Sequence, residues 1–358
     1  MNQKEKQLFL ELCKFRNPNR EKIAALLKSG AATSEVLGLL FANRMGGVAY
    51  NVLKQTELLD STDREFRNSI VNVSLLNRNI NDGYLGSIKF ITTQLDSCGV
   101  PYALLKGAYL CPCYPNGCRT SNDIDVLIAP DDVGKVSAKL KLADFKQGYL
   151  KNGKFVPATR QQIIESKMTR GETVPFLKEI NKQFTKYLEV DLNFSLDYKN
   201  GNDEKLNTML KRTRIVEIGN TRIRTLSSID FFLHLCAHLY KEATTVPWIR
   251  MKRDMTFYKF CDIYALLFDM TEEDVDMLVK VACEYGLTKE LAYCLNAVDK
   301  FFDVATKQGR ALVTVFNNGE LDEVIAPTEK KLYRYSQGDM VKRFFAKDRI
   351  KLLEEVKE

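Results

Sequence analysis

The sequence predicts an α+β fold, a small mixed β-sheet core flanked by helical regions on its amino- and carboxyl-terminal sides. Three observations carry this reading. Apolar residues recur at three- and four-residue spacing from Gln3 to about Ser97, the pattern of amphipathic helices. After Gly99 the period changes to short apolar runs and alternation, which marks strands. From Ser227 the helical period returns. The expected organisation is a helical region over 1–98, an α/β core over 99–226 and a helical domain over 227–358.

In the first region LFLELCKF, EKIAALLKSG and SEVLGLLFANRMGGVAYNVL each carry an apolar stripe, with Gly30 as a stop and Thr33 or Ser34 as the next cap. A longer helix is expected from near Ser61 to near Asp96, because Phe66, Ile70, Leu75, Ile80, Leu85, Ile88, Ile91 and Leu95 repeat at helical intervals. In the core, Pro101–Leu105 and Asp123–Ile128 read as buried strands. Ala108–Tyr114 forms a short helix between them, before the turn signal Pro115-Asn116-Gly117. Asp131–Ala143 reads as helix, and Phe145–Leu150, Val174–Ile180 and the alternating Tyr187–Phe194 as strands. Two further alternating runs are joined by Gly219-Asn220, a hairpin signal. The last region offers SSIDFFLHLCAHLYKEA, KFCDIYALLFDM, EEDVDMLVKVACEYG, LTKELAYCLNAVDKFF and a final helix near the carboxyl end.

Composition narrows the function. Of 358 residues 45% are hydrophobic and 28% charged, the values of a chain with a packed core rather than a disordered or fibrous one. The 53 Lys and Arg against 46 Asp and Glu give a net charge of +7, which suits an anionic substrate without demanding nucleic acid. The amino terminus, MNQKEKQLFLELCKF, lacks the apolar stretch of a secretory signal, and no run of about 18 apolar residues offers a membrane span. The count of nine cysteines is odd, and Cys236, Cys261, Cys283 and Cys294 sit inside apolar helical patterns. A reducing compartment fits this usage, so a cytoplasmic protein is expected.

The block LLKGAYLCPCYPNGCRTSNDIDVLIAP concentrates the chemistry. Side chains alternate across a strand, so Asp123 and Asp125 share one face while Ile124 enters the core. Two carboxylates side by side repel unless a cation sits between them, and hard oxygen ligands suit Mg²⁺ or Mn²⁺. In Tyr187–Phe194 the residues Leu188, Val190, Leu192 and Phe194 occupy one face and Glu189, Asp191 and Asn193 the other. If this strand lies beside the first, Asp191 completes a three-carboxylate site able to hold two ions about 3.5–4 Å apart, as in phosphoryl transfer.

Leu105-Lys106-Gly107-Ala108, Tyr114-Pro115, Arg119, Asp123-Ile124-Asp125-Val126-Leu127 and Glu189-Val190-Asp191-Leu192-Asn193 follow one another in an order that resembles the nucleotidyltransferases of the DNA polymerase beta type. Within that superfamily the chain resembles a family of uncharacterised nucleotidyltransferases, over roughly residues 100 to 195. The resemblance implies transfer of a nucleoside monophosphate from a nucleoside triphosphate to a hydroxyl of a small molecule, a protein or an RNA end. It implies Asp123 and Asp125 as ligands of both metals, with Asp191 binding the catalytic ion or activating the acceptor. The superfamily usually has Gly-Ser or Gly-Gly at the turn. Here Ala108 follows Gly107, so the hydroxyl that touches a phosphate is missing, and Lys106 and Arg119 are expected to supply cationic contacts at the phosphate turn.

The other polar clusters read more plainly. His234 and His238 stand four apart, but Leu235 replaces the glutamate that a zinc protease helix needs, so core or interface packing is expected, with His238 the one of the two to face the cleft if either contacts substrate. Cys111, Cys113 and Cys118 lack the paired spacing of a zinc site and are expected to be free thiols. By the resemblance, in which helices of a second domain supply cations to the nucleotide, Lys241, Arg253 and Lys259 are candidate nucleotide contacts from the last region. Lys211, Arg212, Arg214, Arg222 and Arg224 lie without interleaved aromatics, a solvated face rather than a nucleic-acid track. The alternative to an enzyme is a catalytically inactive, antitoxin-like binding or regulatory module of the same fold, which Ala108 favours and the three ordered carboxylates oppose.

Overall fold

The helical period of the opening residues is realised as α1 (Gln3–Leu12), α2 (Arg20–Lys28), α3 (Thr33–Ala42), α4 (Gly46–Gln55) and the 33-residue α5 (Arg64–Asp96). Local chemistry sets their starts. Asn2 accepts from the Glu5 amide while the Glu5 carboxylate accepts from the Asn2 amide at 2.7 Å, a reciprocal cap on α1. Asp63 accepts from the Phe66 amide at 2.8 Å where α5 begins. The computed structural model describes residues 1–182, 184–196, 203–218, 221–316 and 319–356, the side chains of Thr169 and Asp203 excepted. Backbone contacts divide the chain into two compact units, one of Met1–Val71 with Phe232–Glu358 and one of Asn72–Phe231.

The unit of Asn72–Phe231 takes in the rest of α5 and then β1 (Tyr102–Leu104), α6 (Gly107–Cys113), β2 (Asp123–Ile128), α7 (Val133–Leu142), β3 (Lys146–Lys151), β4 (Lys154–Pro157), α8 (Arg160–Arg170), β5 (Phe176–Lys182), β6 (Thr185–Asn193), α9 (Asp203–Lys211), β7 (Arg214–Ile218) and β8 (Thr221–Thr225). Six strands form one sheet in the order β1-β2-β6-β5-β3-β4. Only β2 and β6 pair in parallel and the other neighbours are antiparallel, so the sheet is mixed, as the sequence predicts. Ile124, Val126 and Ile128 of β2 and Leu188, Val190 and Leu192 of β6 bury one face with Ile88, Ile91 and Leu95 of α5 and Val133, Val136 and Leu140 of α7. Each such side chain contributes about 1.5–3 kcal/mol by leaving water. The alternate residues of β2 and β6 are thereby committed to the opposite face. The β7–β8 hairpin is tied to β1 by the Thr225 hydroxyl, which donates to the Leu104 carbonyl at 2.7 Å. Its expected turn, Gly219-Asn220, lies outside the described residues.

The other unit continues with α10 (Ser228–Ala243), which begins within the first four residues before Phe232, then α11 (Val246–Arg250), α12 (Phe257–Phe268), α13 (Glu272–Tyr285), α14 (Thr288–Phe302) and α15 (Lys307–Thr314). Its centre is aromatic: the Phe257 ring lies 4.9 Å from Phe9 and 5.2 Å from Phe301, and Tyr264 stacks on Phe302 at 4.3 Å. The final helix expected from sequence is only the five-residue α16 (Met340–Phe344). Around it β9 (Glu323–Ala326), β10 (Lys331–Tyr335) and β11 (Leu353–Glu355) build a small antiparallel sheet, because Val324, Ala326 and Tyr335 bury against Val246 and Ile249. All nine cysteines are free thiols. Among the described residues no helix is long and apolar enough to cross a membrane.

Candidate active site

The parallel pairing of β2 with β6 decides what the polar face of the sheet carries. Asp123 lies opposite Glu189 and Asp125 opposite Asp191, so the adjacency on which the three-carboxylate reading depends is present. Asn193 follows on the same face and donates from Nδ2 to Asp125 Oδ1 at 3.2 Å. Asp125 is buried, at 5% exposed, and Asp123, Glu189 and Asp191 are half-buried.

This crowding has an electrostatic cost. Burial, then the charges of Asp125, Asp123, Glu189 and Glu172, push the Asp191 carboxyl well above the usual range. Burial, then Asp123 and Asp125, push Glu189 up to about 7. Asp191 Oδ1 is moreover buried without a hydrogen-bond partner, a condition that a folded chain normally avoids.

Lys106 answers part of this charge. It stands between β1 and α6, and its Nζ donates to Asp125 Oδ1 at 2.8 Å. Burial alone would lower its pKa, but the charge and hydrogen bond of Asp125, with Asp123 and Glu172 behind, outweigh that and lift the ammonium above its usual range. Its backbone has φ +43°, in the left-handed region that side-chain-bearing residues rarely enter. Gly107 follows because nothing larger fits: a Cβ there would stand 2.3 Å from both Cβ and Oγ of Ser121.

Ser121 was not singled out in the sequence. Its hydroxyl lies against the Gly107 turn and donates to Asp123 Oδ1 at 2.8 Å, whereas Ala108, which has no hydroxyl, is fully buried in the core. A row on α5 was also missed. Asn77, Asn81 and Tyr84 donate to the carbonyls of Gly117, Arg119 and Asp123 at 2.9, 3.0 and 2.7 Å. Their spacing on one helical face was the available signal. Arg119 is buried, at 7% exposed, and its guanidinium donates to the Thr120 carbonyl.

The remaining candidates lie elsewhere in the chain. His238 Nε2 is 3.4 Å from a Glu242 carboxylate that also bonds Lys259. Arg214 donates to the Tyr109 hydroxyl at 2.9 Å, and Arg222 faces Glu217 at the surface.

Clustered carboxylates with a buried, unpartnered oxygen on Asp191 suit a hard cation. Among the described residues, however, no three His, Cys, Asp or Glu side chains stand in a ready metal-holding arrangement, and the Lys106 ammonium holds Asp125. The residues fit the ion by chemistry and charge, with the coordination still to be gathered.

No curated protein matches the chain. Among solved structures it is similar to an antigenic nucleotidyltransferase-like protein from Paracoccidioides brasiliensis, at 14% identity over 62% of this chain and 98% of that one, with a TM-score of 0.34. It is also similar to the antibiotic-resistance factor ANT(2'')-Ia, at 12% identity over 57% of this chain and 94% of that one, with a TM-score of 0.32. The family described as uncharacterised nucleotidyltransferase matches residues 29–303, well over half of the chain and the whole of the carboxylate face. By that match, the chain belongs to the uncharacterised nucleotidyltransferase family.

Proposed function

We propose that the chain transfers a nucleoside monophosphate from a nucleoside triphosphate to an acceptor hydroxyl, at the face carrying Asp123, Asp125 and Asp191. The observation that carries this reading is the parallel register that sets Asp125 beside Asp191 and leaves Asp191 Oδ1 buried and unpartnered. The acceptor oxygen forms a bond to the α-phosphorus, the bond from that phosphorus to the bridging oxygen breaks, and pyrophosphate leaves. A carboxylate beside the acceptor receives its proton. Mg²⁺ or Mn²⁺ held by Asp123, Asp125 and Asp191 would neutralise phosphate charge and make the acceptor hydroxyl more acidic.

The chain's own residues do the rest. Lys106 offers an ammonium to the phosphate oxygens. The absence of a side chain at Gly107 lets the backbone approach them. Ser121 fixes one oxygen of Asp123, and Asn193 fixes one of Asp125. Arg119 is a further phosphate contact in this reading.

The test is calorimetric titration of each of the four nucleoside triphosphates with Mg²⁺ into wild-type protein and Asp125→Asn. Triphosphate binding by the wild type, lost in a variant with unchanged circular dichroism, is the expected outcome. Transfer to any acceptor then falls about 10²–10³-fold or more in the variant. A folded wild-type protein that binds none of the four overturns the reading in favour of an inactive module.

A further inference from the structure

The carboxylate face holds more negative charge than any neutral partner on it can offset. Asp123, Asp125, Glu189 and Asp191 lie together in β2 and β6, and Glu172 bridges to Asn193 at the end of β6. Glu172 pairs with Arg170, and the four acids of β2 and β6 face the Lys106 ammonium, 2.8 Å from Asp125 Oδ1. The backbone that delivers this ammonium is held at φ +43° and is followed by a glycine packed without clearance against Ser121. The main chain at this turn is sterically constrained, while the four-carbon stem of lysine is flexible enough to carry its charge from one partner to another.

We propose that Lys106 is a resident cation of this site, which occupies Asp125 until a divalent ion takes its place and then turns to the triphosphate. The inference rests on the reading of the face as a nucleotidyl-transfer site and adds to it an exchange of partners. Lys106 competes with the ion when the ion comes alone, and it assists when ion and triphosphate come together, since the displaced ammonium gains phosphate oxygens. Ion and nucleotide thus bind with positive coupling, and that coupling passes through one side chain.

The experiment uses Mn²⁺ alone as the probe, with free Mn²⁺ read by electron paramagnetic resonance, on wild type, Lys106→Gln, Lys106→Arg and Asp125→Asn. Removing the competitor in Lys106→Gln tightens Mn²⁺ binding by roughly tenfold, within the usual range of such couplings. Lys106→Arg, which keeps a cation, stays near the wild type. Mn²⁺ affinity that is unchanged or weaker in Lys106→Gln, while Asp125→Asn still abolishes binding, overturns the exchange and leaves the metal site intact. Wild-type Mn²⁺ binding that is absent, or indifferent to Asp125→Asn, overturns the site itself and the exchange with it.

A measurement on the unaltered chain stands beside these variants in case Lys106→Gln does not fold. Mild acylation followed by peptide mass spectrometry reads how often the Lys106 amine is free. Mn²⁺ alone should raise its labelling severalfold, and a non-hydrolysable triphosphate added with Mn²⁺ should suppress it again. Labelling that does not respond to Mn²⁺ overturns the proposal.

Discussion

Two regions of this molecule bury acidic side chains and treat them in opposite ways. In the unit formed by the chain's two ends, Asp254 is fully buried and receives two hydrogen bonds from the Arg349 guanidinium, at 2.6 and 2.7 Å. Asp322 in the same unit meets Arg343 at 2.8 Å. On the face of β2 and β6 four acidic side chains gather with one lysine, Glu172 at the edge pairs with Arg170, and Oδ1 of Asp191 has no partner. A buried acid matched by an arginine is a finished structural element. One left unmatched carries an electrostatic cost that a purely structural acid avoids.

The comparison can be broken most forcefully at the finished pair. Asp254→Ala strands the Arg349 guanidinium in the interior, and denaturant unfolding should show a loss of about 3–5 kcal/mol. A loss under about 1 kcal/mol would mean that the pair is no more structural than a surface one.

A second variant asks whether packing, and not charge alone, holds the carboxylate face. Gly107→Ala forces its new methyl onto Ser121 and should cost about 1–3 kcal/mol. Adding Ser121→Gly should recover much of it, with a coupling of about 0.5–3 kcal/mol in the double-mutant cycle. Strict additivity of the two changes would show that the close approach is not the cause.

The smallest effect has the most telling sign. Asp191→Asn removes one of several like charges and gives its neighbour Asp125 an amide donor, so the melting temperature at neutral pH should rise, by about 1 kcal/mol of stability, as nucleotidyl transfer is lost. A variant that is less stable than the wild type would place Asp191 among the structural acids instead.

Much of this was legible in the sequence where a periodic pattern spans several residues. The alternation of Tyr187–Phe194 and the apolar run after Asp123 correspond to β6 and β2, and the long stripe from Phe66 to Leu95 to α5. The two strands that meet at the site are far apart in the chain, and their parallel register depends on the crossover between them, which local patterning does not encode. Ser121 stands in a short irregular segment with no period to mark it. Asn77 and Asn81 look like the solvated side of an amphipathic helix until the loop they bind is in place.

Other elements were missed for identifiable reasons. The Asn152-Gly153 pair that joins β3 to β4 is a hairpin signal, but β4 has only four residues and none of them is buried, so it shows no apolar alternation. In α8 the polar content hides the helical period, and α9 is a nine-residue helix whose stripe of Leu206, Met209 and Leu210 spans little more than one turn. The sheet of β9, β10 and β11 is built from strands of three to five residues, below the length at which alternation is distinctive.

The row of Asn77, Asn81 and Tyr84 gives α5 the character of a ruler. Three of its graduations fix Gly117, Arg119 and the main chain of Asp123, one after another. Because each residue turns a helix by about 100°, one amino acid inserted between Asn81 and Tyr84 swings the tyrosine away from Asp123 while the two asparagines keep their places. The spacing of residues within this helix is therefore bound to the placement of Asp123, whose main-chain carbonyl the Tyr84 hydroxyl holds.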